Sequence, residues 1–180
     1  MPKTAPDLRY PVGQFTRPKK ALSADERSDA IEAIAAMPGA LRAAVKGLND
    51  AQLDTPYRPD GWTVRQVVHH VPDSHMNAYV RIKLALTEDV PTIKPYDESR
   101  WAELVDGKSK LIEQSLALLE ALHSRWVFLL RRLKPSDFAR TYNHPEWDTP
   151  MSLDDAVAMY AWHGKHHVAH ITSLRDRNEW

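Results

Sequence analysis

The chain has 180 residues, 43% hydrophobic and 27% charged, which is typical of one folded domain rather than a disordered segment. Lysine plus arginine equals aspartate plus glutamate, at 24 each, so no basic surface is indicated for nucleic acid or an anionic membrane. There is no cysteine, which excludes disulfides and thiolate metal sites. No apolar run approaches the roughly 20 residues of a membrane span, and no signal segment is evident, so we predict a cytoplasmic protein without nucleic-acid or membrane partners.

The N-terminal part of the chain predicts an extended arm followed by a helix. Prolines recur along residues 1–22, which we expect to be the arm, and residues 23–180 then form a single domain. Ser23 and Glu26 have the spacing of a capping box, and apolar residues at helical intervals continue to Leu48. The pair at 38–39, proline and glycine, predicts a kink or a split in this helix.

The rest of the chain predicts three more long helices. They cover residues 63–87, 109–133 and 152–177. Thr63 and Ser152 have the residue type that begins helices. Residues 50–62 are predicted as a loop, residues 88–107 as a long connection of the kind that often lines a site, and residues 142–149 as a short hairpin. Four long helices with almost no strand signal predict an all-α four-helix bundle.

Histidines are concentrated in the predicted fourth helix. Four of the nine lie within eight residues, at positions 163, 166, 167 and 170. Side chains four residues apart share a helix face, so the pair His163 and His167, or the pair His166 and His170, can bind one metal ion together. The first pair lies within the apolar stripe of a helical wheel and the second at its shoulder. The pattern therefore favours a metal site with His163 and His167 over buried, hydrogen-bonded or solvated histidines.

A third ligand must come from another element, and the predicted second helix offers His69, His70 and His75. On a helical wheel His75 lies in the middle of the apolar stripe, whereas His70 lies about 120° away on a polar face. Pro72 lies between them and should bend the helix, which makes a straight wheel unreliable. The residues themselves therefore leave this choice open. Three histidine ligands would leave coordination positions free for reactants, as in catalytic metal sites.

Two carboxylates are weak candidates for a catalytic acid or base. Asp73 follows His70 closely and could orient an imidazole or accept a proton. Glu98 lies in the long connection and could reach the metal. Solvated carboxylates are the simpler interpretation of both residues, so the general base stays unassigned.

Three segments carry a resemblance to a known family. They are residues 56–79, which begin PYRPDGWTVRQVVHH, residues 94–98 (KPYDE) and residues 160–171 (YAWHGKHHVAHI). From about Tyr10 onward the chain resembles the YfiT-type branch of the DinB superfamily, whose members are four-helix bundles described as metal-dependent hydrolases. The resemblance implies metal ligands at His70, His163 and His167, and it also implies a homodimer.

The resemblance also implies a cofactor and a class of reaction. One divalent ion per subunit is expected, with zinc favoured and nickel as the alternative. Such an ion would activate water for hydrolysis of a small-molecule substrate. It could instead activate a low-molecular-weight thiol, which would make the protein a thiol S-transferase. The third hypothesis is a non-enzymatic dimerisation module with buried histidines, either metal-stabilised or metal-free.

Overall fold

The fold is a four-helix bundle with two short additional helices and a small sheet. The computed structural model describes residues 7–109 and 111–180. The helices are α1 (Ala24–Val45), α2 (Asp50–Leu53), α3 (Val64–Thr87), α4 (Glu98–Ala102), α5 (Ile112–Leu130) and α6 (Leu153–Asn178). The long helices α1 and α3 each pack on both α5 and α6, so they occupy diagonal corners of the bundle. The predicted all-α four-helix bundle is confirmed.

The predicted hairpin before the last helix is a minimal two-stranded sheet. Strand β1 (Thr141–Tyr142) pairs antiparallel with β2 (Met151–Ser152), and a 3-10 turn at Asp137–Ala139 precedes it. Strand β1 includes the first residue of the predicted range 142–149, and β2 begins two residues after its end. The leucine that follows β2 is the first residue of α6, so the sheet fixes where that helix begins.

Capping boxes begin three of the four bundle helices, at the predicted box of Ser23 and at the predicted helix starts Thr63 and Ser152. At α1 the Ser23 hydroxyl accepts from the Glu26 backbone amide at 3.2 Å, and the Glu26 carboxylate accepts from the Ser23 amide at 2.8 Å. Equivalent reciprocal boxes are present at Thr63 and Ser152. Each box satisfies backbone donors that the first helical turn leaves without partners.

Proline does not divide the helices. Of the kink or split predicted at Pro38, the split is wrong, because α1 continues from Ala24 to Val45 through that residue. Helix α3 likewise continues through Pro72. A helix-interior proline costs about 3 kcal/mol through one lost hydrogen bond and a steric clash. Both prolines are buried in the bundle, and the apolar contacts on each side of them outweigh that cost.

The two connections predicted as irregular each contain a short helix, which corrects the prediction. Helix α2 occupies the start of residues 50–62, and α4 lies within residues 88–107. Helices of four or five residues are too short to show an apolar period. The sequence feature that marks them is the N-capping residue. Asn49 accepts from the Gln52 amide at 3.0 Å, and Asp97 accepts from the Arg100 amide at 2.9 Å.

Histidines separate the bundle core into two apolar clusters. One cluster includes Ile34, Ile82, Trp126 and Val157, and the other includes Leu41, Val67, Leu119 and Ile171. At the level between them lie His70 and His75 of α3, His123 of α5, and His163 and His167 of α6. This level is therefore a polar layer in the middle of the bundle, where facing helices can build a metal site.

The described part of the N-terminal arm lies along α6. The Trp162 indole donates to the Gly13 carbonyl at 3.0 Å, and His170 Nε2 donates to the Arg9 carbonyl at 3.1 Å. The first six residues of the predicted arm lie outside the described residues. Within the described ranges, every helix is too short or too polar to cross a lipid bilayer.

Candidate metal centre

Helices α3 and α6 bring three histidines together in the polar layer. One ring nitrogen from each of His70, His163 and His167 can be chosen so that all three lie within 4.8 Å of one another. The ring centroids are 4.4 Å apart for His163 and His167, and 4.9 and 5.5 Å from His70 to His167 and His163. Three imidazoles at this separation can share one metal ion.

Burial keeps these three imidazoles neutral at physiological pH. It lowers the pKa of His70 to about 4, with a smaller contribution from nearby His166. It also holds the pKa of His163 and of His167 well below the usual range of histidine. A neutral imidazole keeps one nitrogen lone pair available for a cation. The three rings are therefore chemically competent ligands.

An indole covers one side of the group. Trp62 precedes α3, and its ring centroid lies 4.6 Å from that of His70. It also lies nearly parallel to His167, at 6.5 Å and an interplanar angle of 14°. This aromatic cover limits solvent access and the ring motions of two of the three histidines.

The other two histidines of α3 have their nitrogens engaged elsewhere. His69 Nε2 donates to the Ser109 carbonyl at 2.9 Å, and its Nδ1 accepts from the Ser115 hydroxyl at 2.7 Å, so this ring is turned toward α5. His75 is fully buried and hydrogen-bonds to His123 and to His163. Of the alternatives that the sequence left open, the geometry thus places His70 with the α6 pair and His75 behind it.

A second group of histidines lies on α6 itself. Ring nitrogens of His166, His167 and His170 also lie within 4.8 Å of one another. All three Nδ1 atoms are buried without a hydrogen-bond partner among the described residues. His166 stacks on Trp162 and His170 on Tyr57, with centroids 4.4 and 3.9 Å apart. Because His167 is common to both groups, the structure offers two overlapping sets of candidate ligands.

Sequence comparison identifies the family. A profile of the DinB superfamily matches residues 33–171. The chain belongs to the DinB superfamily. A Bacillus cereus (strain 03BB102) relative is 56% identical over 174 residues, covering 97% of this chain and 99% of the relative. A Bacillus mycoides (strain KBAB4) relative is 55% identical with the same coverage. Both carry the name "Putative metal-dependent hydrolase".

Solved structures agree with this membership. YfiT from Bacillus subtilis is 48% identical and superposes with a TM-score of 0.93, covering 96% of this chain and 98% of YfiT. YfiT is described as "a probable metal-dependent hydrolase with an unusual four-helix bundle topology". The four-helix bundle protein TT2238, at 21% identity, has a TM-score of 0.55 over 79% of this chain and 94% of its own, and shows a shared fold.

The two candidate carboxylates of this DinB-superfamily protein lie outside both histidine groups. Asp73 lines a cavity of about 380 Å³ together with His69 and Asp106. Burial, and then the charge of Asp106, raise the pKa of Asp73 to about 6. Glu98 is exposed in the first turn of α4. Neither carboxylate belongs to either group of candidate ligands, and the general base stays unassigned.

His123 of this DinB-superfamily chain is a member of the polar layer that was not predicted from the sequence. Its Nε2 lies 2.7 Å from His75 Nδ1, and its Nδ1 lies 2.7 Å from the Ile34 carbonyl oxygen. A signal existed, because His123 recurs with Leu116, Leu119 and Trp126 at the helical spacing that marks the buried face of α5. A lone histidine on an apolar stripe indicates burial, but not which groups it bonds.

Proposed function

We propose that this protein is a metal-dependent hydrolase in which His70, His163 and His167 hold one divalent ion. The observation that carries the proposal is the convergence of three neutral imidazoles from α3 and α6, within 4.8 Å of one another, between the two apolar clusters of the core. The names of the Bacillus relatives and the description of YfiT support the same class.

The residues of the site favour catalytic over structural metal binding. Structural zinc sites use four protein ligands, whereas catalytic sites use three and keep positions free for reactants. When bound by three neutral imidazoles, a divalent ion keeps its full charge and can lower the pKa of a coordinated water to about 7. Trp62 and the buried ring faces around it supply a site of low polarity, in which such electrostatic effects are strengthened.

Zinc is the proposed ion and nickel the alternative. Imidazole nitrogen suits both metals, and a site with three histidines and free positions is common for zinc. The substrate is proposed to be a small molecule that carries a hydrolysable bond.

Metal analysis of the untagged protein tests the ligand set. We expect about one ion per chain in the wild type and a large loss in His70→Ala and His163→Ala, because each removes a ligand of the proposed group alone. His166→Ala and His170→Ala are the matched controls, since they remove ligands of the overlapping group alone, and both should keep the ion. The opposite pattern would assign the ion to the group on α6.

A second measurement tests the reaction. Metal-free protein is prepared with a chelator, reloaded with zinc, and assayed with 4-nitrophenyl acetate and bis(4-nitrophenyl) phosphate in the absence of thiol. Release of 4-nitrophenolate from one of them should return with zinc and be absent in His163→Ala. Turnover that appears only after addition of a low-molecular-weight thiol would indicate a thiol S-transferase instead. A wild-type protein without bound metal would leave the dimerisation module as the better hypothesis.

A further inference from the structure

A continuous series of hydrogen bonds crosses the polar layer and joins all four helices of the bundle. His163 Nδ1 on α6 lies 3.0 Å from His75 Nε2 on α3. His75 Nδ1 lies 2.7 Å from His123 Nε2 on α5, and His123 Nδ1 lies 2.7 Å from the Ile34 carbonyl on α1. We call His123, His75 and His163 the histidine relay.

The last member of the series fixes the direction of every bond. The Ile34 carbonyl can only accept, so His123 Nδ1 must donate to it. A neutral imidazole has one donor and one acceptor, so His123 Nε2 accepts from His75 Nδ1. By the same rule His75 Nε2 accepts from His163 Nδ1. The proton of His163 is therefore on Nδ1, and the lone pair is on Nε2.

The surroundings of the relay hold its rings in place. His75 has no exposed surface, and Trp126 and Tyr160 pack edge-on against it at 5.8 and 5.1 Å. His123 also packs against Trp126, at 5.6 Å. Rotation of either ring would require these large buried side chains to move, so the hydrogen-bond pattern persists.

We propose that His75 and His123 are positioning residues that fix His163 in the Nδ1–H tautomer and thereby direct its Nε2 lone pair toward the metal ion. This inference rests on the proposed function, since it presumes that His163 is a ligand. Hydrogen bonds from the second nitrogen of a ligating histidine commonly set its tautomer and orientation. Here two further imidazoles, on α3 and α5, carry that constraint to a backbone carbonyl on α1.

A role in packing alone does not account for the relay. Polar groups buried in a core lose hydration, and apolar side chains of similar volume would fill the same space without that loss. Both nitrogens of His75 and of His123 are nevertheless bonded, and the series ends at a group whose role as acceptor is fixed. Such an arrangement specifies the direction of each bond, which packing does not require.

The first test is the tautomer of each histidine in the metal-free wild type. Nitrogen-15 NMR with long-range proton correlation distinguishes Nδ1–H from Nε2–H imidazole. We expect Nδ1–H at His163, His75 and His123, although free neutral imidazole favours the other form. Nε2–H at His163, or an exchanging mixture, would overturn the proposal without reference to any metal or activity.

The second test measures zinc affinity by competition with a chromophoric chelator. His75→Leu removes the acceptor of His163 and should weaken zinc binding by about 10- to 100-fold. His75→Gln keeps an amide oxygen near the position of Nε2 and should restore most of the affinity. Equal losses in the two variants would show that the ring acts only by packing, and would overturn the proposal.

A milder variant keeps the test valid if His75→Leu does not fold, as judged by circular dichroism. His123→Leu leaves the bond between His75 and His163 but removes the group that fixes its direction, so His163 should become a mixture of tautomers with a smaller loss of affinity. An unchanged His163 tautomer in this variant would contradict the relay.

The two proposals fail in different ways. A wild-type protein that binds no zinc would overturn the proposed function. A wild-type protein that binds zinc through His163 but carries Nε2–H there when metal-free would overturn the relay alone.

Discussion

Two adjacent histidines of α3 show that burial does not determine the role of a residue. His69 and His70 are 7% and 6% exposed, so exposure does not separate them. Successive residues on a helix point about 100° apart, which turns His69 toward α5 and His70 toward α6. His69 has both nitrogens bonded to Ser109 and Ser115, whereas His70 lies with the histidines of α6. The direction of each ring, rather than its environment, separates a structural from a candidate ligand histidine.

Substitution of His69 tests that distinction. His69→Ala leaves the proposed ligands in place, so the metal content should match the wild type. It removes two hydrogen bonds and leaves the Ser109 carbonyl in a partly buried position without this donor, which should lower the free energy of unfolding by about 1–3 kcal/mol. Urea unfolding measures the free energy of unfolding, and metal analysis of the same preparation measures the ion content. Loss of the ion with unchanged stability would mean that His69 is a ligand.

At the scale of residues, some histidines of the candidate metal site could be predicted from the sequence. The spacing of His163 and His167 indicated a shared face, because the helical period is a local property. Position 70 came from the resemblance to the family, since the wheel alone favoured His75. The contacts of His75 with His123 and His163 could not be predicted, because they depend on how α3, α5 and α6 are rotated against one another.

At the scale of elements, the N-terminal ends of the helices were predicted best from the sequence, because capping motifs mark them. The capping boxes at Ser23, Thr63 and Ser152 form between residues three apart, so a sequence motif suffices to locate them. Breaks within a helix were predicted poorly, because whether Pro38 interrupts α1 depends on the tertiary contacts around it. Helix α5 begins at Ile112 and ends at Leu130, inside the predicted residues 109–133, and Leu111 before it forms no side-chain capping hydrogen bond.

Helix α6 approaches α1 closely at Gly164. A Cβ built on Gly164 would lie 2.5 Å from Met37 Cγ, which is shorter than any ordinary contact. Gly164 also lies next to His163, so the same approach sets the position of a candidate ligand. Glycine is therefore required here by the space between the helices.

A double-mutant cycle tests this contact. Gly164→Ala should gain up to about 1 kcal/mol of helix propensity but lose about 1–3 kcal/mol to overpacking, while Met37→Ala alone opens a cavity. In the double variant the small side chain at 37 accommodates the new methyl group, so the two effects should deviate from additivity by more than about 0.5 kcal/mol. Urea unfolding of the four proteins measures this coupling, and additive effects would show that the helices separate freely.

At the scale of the whole molecule, a layer of buried histidines divides the apolar core. The fold class could be predicted because the apolar stripes of the long helices are visible in the sequence. The histidine layer could not be predicted from the sequence, because it combines residues from α3, α5 and α6 that are up to about 100 positions apart. Together with the buried His166 and His170 of α6, this layer gives the stability of the molecule a dependence on pH that an apolar core would not have.

The sign of that dependence follows from the shifted pKa values. Burial lowers the pKa of His70, His123, His166 and His170 to about 4, with smaller effects of neighbouring His166 on His70 and His170. In the unfolded chain each titrates near 6.5, so between about pH 6.5 and pH 4 the unfolded state binds more protons than the folded state. Stability is then lost as the pH falls through this window. Asp73, whose pKa is raised to about 6, acts in the opposite direction below that pH, but it is one group against four.

The metal-free protein should therefore be clearly less stable at pH 5.5 than at pH 7.5. Each of these histidines contributes up to about 1.4 kcal/mol per pH unit below 6.5, and little above it. Urea unfolding at pH 7.5, 6.5 and 5.5 measures the trend, with metal removed so that ligand release does not add to it. His123→Leu is the internal control, because removing one titrating ring should flatten the slope even though the variant starts from a lower stability. The opposite outcome is a free energy of unfolding that stays constant or rises as the pH is lowered from 6.5 to 5.5. It would mean that these histidines are hydrated and accept protons in the folded state as readily as in the unfolded chain.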